Sequence, residues 1–133
     1  MKLCSGQCRY LLAVSELAKT KKVVRSVDIA NKIGVTRSSV SRMLECMERL
    51  ELINPDYSLS VELTPLGTET AKSLSASFES VHSFFAEILR LSETEAYEQA
   101  IQFIASFPDN TVEKLSQITK NTLNKRKNNK KSE

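Results

Sequence analysis

The sequence predicts a mainly α-helical protein with one small β-hairpin, and three observations carry that prediction. Apolar residues recur every three or four positions through most of the 133 residues. One stretch, 52–63, alternates instead: Leu59, Val61 and Leu63 are separated by Ser60 and Glu62, after the turn residues Asn54-Pro55-Asp56. Gly34, Thr36, Thr64-Pro65 and Ser92 fall where helices should end or begin.

The central stretch is Ser26 to Leu50. Ser26 has the chemistry of an N-cap, and Val27, Ile29, Ala30 and Ile33 then share one helical face. Gly34 stands at the C′ position, where the backbone must enter the left-handed region. Thr36 is the next N-cap. Val40, Met43, Leu44, Met47 and Leu50 form an apolar stripe, while Arg37, Ser38, Ser39, Ser41 and Arg42 open the opposite face. Two helices joined by a short glycine turn are the signature of a helix-turn-helix. In that motif the start of the second helix reaches base edges and phosphates in the major groove. The hairpin after it is then a wing, with Tyr57 near its tip. The candidate DNA-binding residues are Ser26, Thr36, Arg37, Ser38, Ser39, Ser41, Arg42 and Tyr57. An ordinary helical hairpin with a Ser-rich, basic outer face would give part of this pattern.

In chain order, Cys8 to Lys19 is the first helix, with Leu11, Leu12, Val14, Ser15, Leu17 and Ala18 facing inward and Tyr10 along its edge. A basic turn, Lys19, Lys21, Lys22 and Arg25, encloses Val23 and Val24, which could form a short strand. After the wing, Thr64-Pro65 starts a rod running through Ala71, Leu74, Phe78, Val81, Phe85 and Leu89, about six turns long. Gly67 is awkward so near that start. Ser92 and Glu95 form a capping box before Ala96, Ala100, Ile101, Ile104 and Phe107. Val112, Leu115, Ile118 and Leu123 mark a last helix. The predicted division is 1–67 as winged helix-turn-helix, 68–124 as helical dimerisation domain, and 125–133 as a basic, disordered tail.

Charge is unevenly spread. The net +3 comprises a basic N-terminal half, an acidic stretch over 68–119, and a C-terminal end with six cations against one acid. The basic ends suit phosphate; the acidic middle suits protein contact or cations. There is no apolar run of 18 residues and no signal-like start, which predicts a cytoplasmic protein that does not enter the membrane. The three cysteines, Cys4, Cys8 and Cys46, do not suggest a disulfide framework. Catalysis needs a nucleophile or acid–base group beside a partner. With one histidine, no glycine-rich phosphate loop and no HExxH, the chain does not read as an enzyme.

The segments YLLAVSEL, VRSVDIANKIGVTRSSVSRMLECMERLELI and LTPLG, the last leading into a long helix, resemble the metal-dependent repressors of the diphtheria toxin repressor and manganese transport regulator type. The resemblance covers roughly residues 7–118. It implies a homodimer that binds double-stranded DNA through an N-terminal winged helix, and repression controlled by Fe(II) or Mn(II). The family's metal ligands correspond here to Arg9, Leu12, Phe78, Ile101, Ile104 and Ala105, none of which binds a divalent cation. The remaining candidate ligands, for Zn(II) or Fe(II), are Cys4, Cys8, Glu79, His82 and Glu98, and Cys4 with Cys8 could also sense redox state. The reading is therefore a sequence-specific transcriptional regulator, a repressor in type, that works without the usual metal site. Alternatives are a winged-helix regulator of the multiple-antibiotic-resistance type and a winged-helix protein-interaction module.

Overall fold

The computed structural model describes residues 2–132. Six helices run in order: α1 (Ser5–Thr20), α2 (Ser26–Ile33), α3 (Arg37–Arg49), α4 (Pro65–Ser83), α5 (Glu93–Ser106) and α6 (Asp109–Ser132). One turn of π-helix, Phe84–Ile88, comes after α4. Two compact units divide inside α4: Leu3–Leu74 forms one, and Lys2 with the residues from Ser75 onward forms the other. No helix among the described residues is long and apolar enough to cross a membrane.

In the first unit, α1, α2 and α3 pack together. α1 begins at Ser5, one turn before the expected Cys8, because Cys4 and Gln7 cap it: the Cys4 N–H donates to Gln7 Oε1 at 3.0 Å. Its buried residues are Cys8, Tyr10, Leu11, Ala13 and Val14. Tyr10 is thus in the core instead of at the edge, and its burial pushes its hydroxyl above the ordinary tyrosine value. The cap of α2 is Arg25 and not Ser26, which is the first helical residue. Asp28 explains the shift, since its carboxylate accepts from the Arg25 N–H at 2.9 Å and fixes the helix start one residue earlier. Gly34 sits at φ 80°, ψ 41°, the left-handed position that ends α2.

The expected β-hairpin does not form. Among the described residues there is no strand, only a single antiparallel bridge between Ile53 and Leu63. Two causes are visible. Pro55 has no N–H to extend the ladder beyond the Asn54 N–H to Glu62 carbonyl bond of 2.9 Å. The Val61 N–H turns instead to the Val24 carbonyl, 2.8 Å away, while the Val24 N–H donates to Ser60 Oγ at 3.3 Å. Val24 does meet this segment, but as one residue and not as a strand. Leu59, expected to face inward, is 77% exposed at the turn, whereas Leu52, Ile53 and Val61 are buried.

A compact junction joins the end of α3 to the start of α4. Thr64 Oγ1 donates to the Glu51 carbonyl at 2.6 Å and accepts from the Gly67 N–H at 2.9 Å. The Thr64 N–H donates to the Leu52 carbonyl at 3.0 Å. A Cβ placed on Gly67 would run into that Leu52 carbonyl. Gly67, awkward as a helix-start residue, is therefore the residue that lets two backbones touch.

In the second unit the expected rod is interrupted. Val81 is fully buried, but the wider π turn adds a residue to the repeat and rotates the next residues off the stripe. Phe85 is consequently half-buried and Leu89 half-exposed. Ser92 caps α5 as expected, accepting from the Glu95 N–H at 3.2 Å while its hydroxyl donates to Glu95 Oε1 at 2.9 Å. Ala96, Ala100, Ile101 and Ile104 are buried; Phe107 ends the helix, exposed, and stacks on Phe103 at 4.4 Å.

α6 differs from expectation twice. Thr119 is buried at 1% exposure alongside Val112, with Ile118 at 61%, because Val112, Leu115, Thr119 and Leu123 share the inner face. The Thr119 hydroxyl is satisfied by donating to the Leu115 carbonyl at 2.8 Å. The helix also continues to Ser132 instead of ending in a disordered tail at Lys125. No Gly or Pro interrupts it after Pro108, and its cations lie at the C-terminal end, where the helix dipole favours them.

The junction gives a direct prediction. Gly67→Ala should lower stability by about 1–3 kcal/mol, because the clash is with backbone that cannot rotate away. A thermal or urea unfolding midpoint equal to that of the wild type would contradict the close approach.

Candidate nucleic-acid interface

α3 is two-faced. Val40, Leu44 and Met47 are fully buried, each stabilising the packed helix by about 1.5–3 kcal/mol. Thr36 caps the helix, accepting from the Ser39 N–H at 3.1 Å, and its hydroxyl donates to Ser39 Oγ at 3.0 Å. That start is exposed: Thr36, Arg37, Ser38, Ser39, Ser41 and Arg42 are all open to solvent.

At 3.6 residues per turn, Ser41, Ser38 and Arg42 fall within an arc of about 100° turned away from the core, whereas Arg37 shares the line of Leu44 and is exposed because it is the first residue of the helix. None of these four side chains bonds or pairs with another described residue. Two guanidinium forks and two hydroxyls are therefore available to an outside acceptor. Thr36 and Ser39 are different, since each hydroxyl is already used in the cap. Glu45 lies in the middle of the same arc, exposed and one turn beyond Ser41. It was not among the expected interface residues, although its i+4 spacing from Ser41 was the available signal. A carboxylate there can accept from a cytosine amino group and disfavours a bare phosphate.

One ion pair ties the turn before α2 to its first turn. Lys21 Nζ lies 3.2 Å from Asp28 Oδ1. The Arg25 N–H, followed by the Lys21 ammonium, holds the Asp28 carboxyl below its ordinary value. The stability this lends α2 is complete above the ordinary aspartate value and is lost as pH falls through the lower folded one. Ser26 is half-buried in the first turn of α2, and Tyr57 is half-buried in the turn after Pro55.

The residues matching the expected metal ligands do not suit a cation. Arg9, Leu12, Phe78, Ile101, Ile104 and Ala105 supply no carboxylate, thiol or imidazole, and Ile101 and Ile104 are buried apolar groups. Nor are the substitute ligands gathered: among the described residues no group of three His, Cys, Asp or Glu side chains could hold a metal. Cys4 is exposed, while Cys8 is buried, its thiol donating to the Leu3 carbonyl at 3.8 Å. His82 lies 3.0 Å from Glu93 Oε1, a partner that sequence spacing did not indicate, and its ring centroid is 5.5 Å from that of Phe78. Glu79 is exposed and Glu98 half-buried.

Residues 3–56, which include the α1–α3 packing and the exposed start of α3, match the iron dependent repressor, N-terminal DNA binding domain. This segment is similar to that family's DNA-binding domain. An uncharacterized HTH-type transcriptional regulator of Methanocaldococcus jannaschii is 24% identical over 99 residues, covering 74% of this chain and 79% of that protein. Among solved structures, the manganese regulator SloR is similar at a TM-score of 0.75 and 25% identity, over 84% of this chain and 52% of that one. A hypothetical protein from Sulfolobus solfataricus matches at a TM-score of 0.63 and 21% identity, over 87% and 88% of the two chains. IdeR of T. acidophilum matches at 0.67 and 17% identity, over 83% and 52%. The chain thus spans about half the length of the SloR and IdeR structures. The last two likenesses, at lower identity, concern the fold alone.

Proposed function

We propose that this protein is a sequence-specific DNA-binding transcriptional regulator, acting as a homodimeric repressor whose DNA binding needs no divalent metal. The observation that carries the reading is the exposed, unpaired set Arg37, Ser38, Ser41 and Arg42 at the start of a helix anchored by Val40, Leu44 and Met47. Arginine can bind guanine through two hydrogen bonds, and serine can donate to a base edge or a phosphate. The domain match at residues 3–56 supports DNA as the ligand. In this reading 1–67 is the reading head, with Tyr57 beside the backbone, and 68–124 is the dimerisation region. The aromatic side chains that remain partly exposed there, Phe85, Phe103 and Phe107, suit a second copy of the chain.

Metal independence rests on chemistry. Related regulators are named for manganese and iron. Here the corresponding positions are mostly apolar, and burial of Ile101 and Ile104 takes the place of coordination.

Two experiments test these statements. Arg37→Ala and Arg42→Ala should each weaken binding to a preferred duplex by about 1–3 kcal/mol where a base contact is lost. Unchanged affinity and unchanged preference in both variants would remove α3 from the role assigned to it. Chelator-treated protein should shift the same duplex as well as protein supplied with Fe(II), Mn(II) or Zn(II). Binding that disappears on chelation and returns with one metal would overturn metal independence, and His82, Cys4 and Cys8 would then be the first residues to replace.

A further inference from the structure

α6 has 24 residues and so extends about 36 Å. Its last acidic residue is Glu113; from Lys114 to Ser132 the chain carries cations, amides, hydroxyls and a few apolar groups, with no carboxylate. From Asn124 to Lys130 every residue is exposed. Lys120, Lys127 and Lys130 lie within an arc of about 80° on one side of the helix, and Arg126 is next to Lys130 around it. Arg126 and Lys127 each face Lys130 one turn on, an arrangement of like charges that a helix tolerates at a cost. Lys120, Lys125, Lys127 and Lys130 have no ion-pair partner among the described residues. Arg126 differs, because its Nη1 donates to the Glu87 carbonyl at 3.4 Å.

We infer that the exposed C-terminal half of α6 is a second DNA-contacting element, binding duplex phosphates without regard to sequence. The inference rests on the DNA-binding reading of α3. Its support is charge complementarity: an uncompensated row of cations interleaved with Asn121, Asn124 and Asn129 is the chemistry that meets phosphate and sugar oxygens. Composition argues against other polyanions. Beyond Leu123 there is no apolar residue to enter a membrane surface. There is no aromatic residue after Phe107 on which single-stranded RNA bases could stack. The same gap leaves no aromatic anchor for an acidic protein. Duplex phosphate requires none of these.

The test uses the full chain carrying Lys120→Gln, Lys127→Gln and Lys130→Gln together. Arg126 stays, so its bond to the Glu87 carbonyl survives, and glutamine keeps helix propensity. A Lys→Arg triple variant serves as the charge-retaining control, and circular dichroism confirms helix content. Binding to a random-sequence duplex is measured across a salt series. Each phosphate contact contributes about 0.9 to the slope of log affinity against log salt, so the Gln variant should lose roughly two to three units. Its affinity at low salt should fall about 10- to 100-fold, while its preference for a selected site over random duplex stays unchanged. The Arg variant should match the wild type. A Gln variant with wild-type slope and affinity would overturn the inference while leaving the α3 reading intact. Loss confined to single-stranded RNA, anionic vesicles or an acidic protein would overturn it too, in favour of that partner. A wild-type chain with no salt-dependent duplex binding would overturn both readings together.

Discussion

The fold depends on one constraint: α3 must be fixed on one side and free on the other. Val40, Leu44 and Met47 lose all contact with water, which leaves a single rotational setting for the helix. Ser38, Ser41 and Arg42 are then directed outward, and Arg37 is exposed as the first residue of the helix, all without competing partners. Rotation by one residue position, about 100°, in one direction would carry Ser41 and Glu45 toward the core and bring Val40 and Met47 out of it. The energetic demand of the core and the chemical demand of the interface are thus met by the same geometry. The turn before α3 serves that setting. Gly34 takes a conformation that a β-carbon would disfavour, and Thr36 then satisfies the free amides of the new helix.

Behind α3 the chain is held by close backbone contact more than by a sheet. Thr64 links the Glu51 carbonyl to the Gly67 amide, and Gly67 lies against the Leu52 carbonyl. This gives the segment between α3 and α4 defined ends although the ladder between them is one bridge long. Tyr57, Ser58 and Leu59 sit in the turn so formed. A short, polar segment of this kind can track a DNA backbone without the rigidity of paired strands.

Much of this was legible in the sequence because it is local. Gly34, Thr36 and Ser92 act within one turn of their own position, and the stripe on α3 is a simple period. The illegible features depend on partners distant in the chain or on a broken period. Alternation alone predicts a hairpin, but it does not reveal Val24 taking the Val61 amide. The α4 stripe, carried past Ser83 at 3.6 residues per turn, meets a π turn that no longer obeys that period. Ile118 is the more apolar residue, yet helical phase places Thr119 inside. In the candidate interface the arginines and serines were visible, but the cap role that occupies Thr36 and Ser39 was only half visible, and Glu45 was missed. The Glu93 partner of His82 lies beyond a turn whose geometry no pattern specifies.

In the proposed reading, the buried Ile101 and Ile104 hold the arrangement that would otherwise need a bound metal. That idea still depends on α3 being the DNA-reading element. The most direct measurement is amide and arginine side-chain NMR on the full chain, titrated with a duplex selected from random sequence. The account predicts that the largest shifts fall between Thr36 and Glu45, including the Arg37 and Arg42 guanidinium signals, with the buried side chains of Val40, Leu44 and Met47 moving least. Shifts that leave this stretch unmoved while changing another face of the first unit would contradict it.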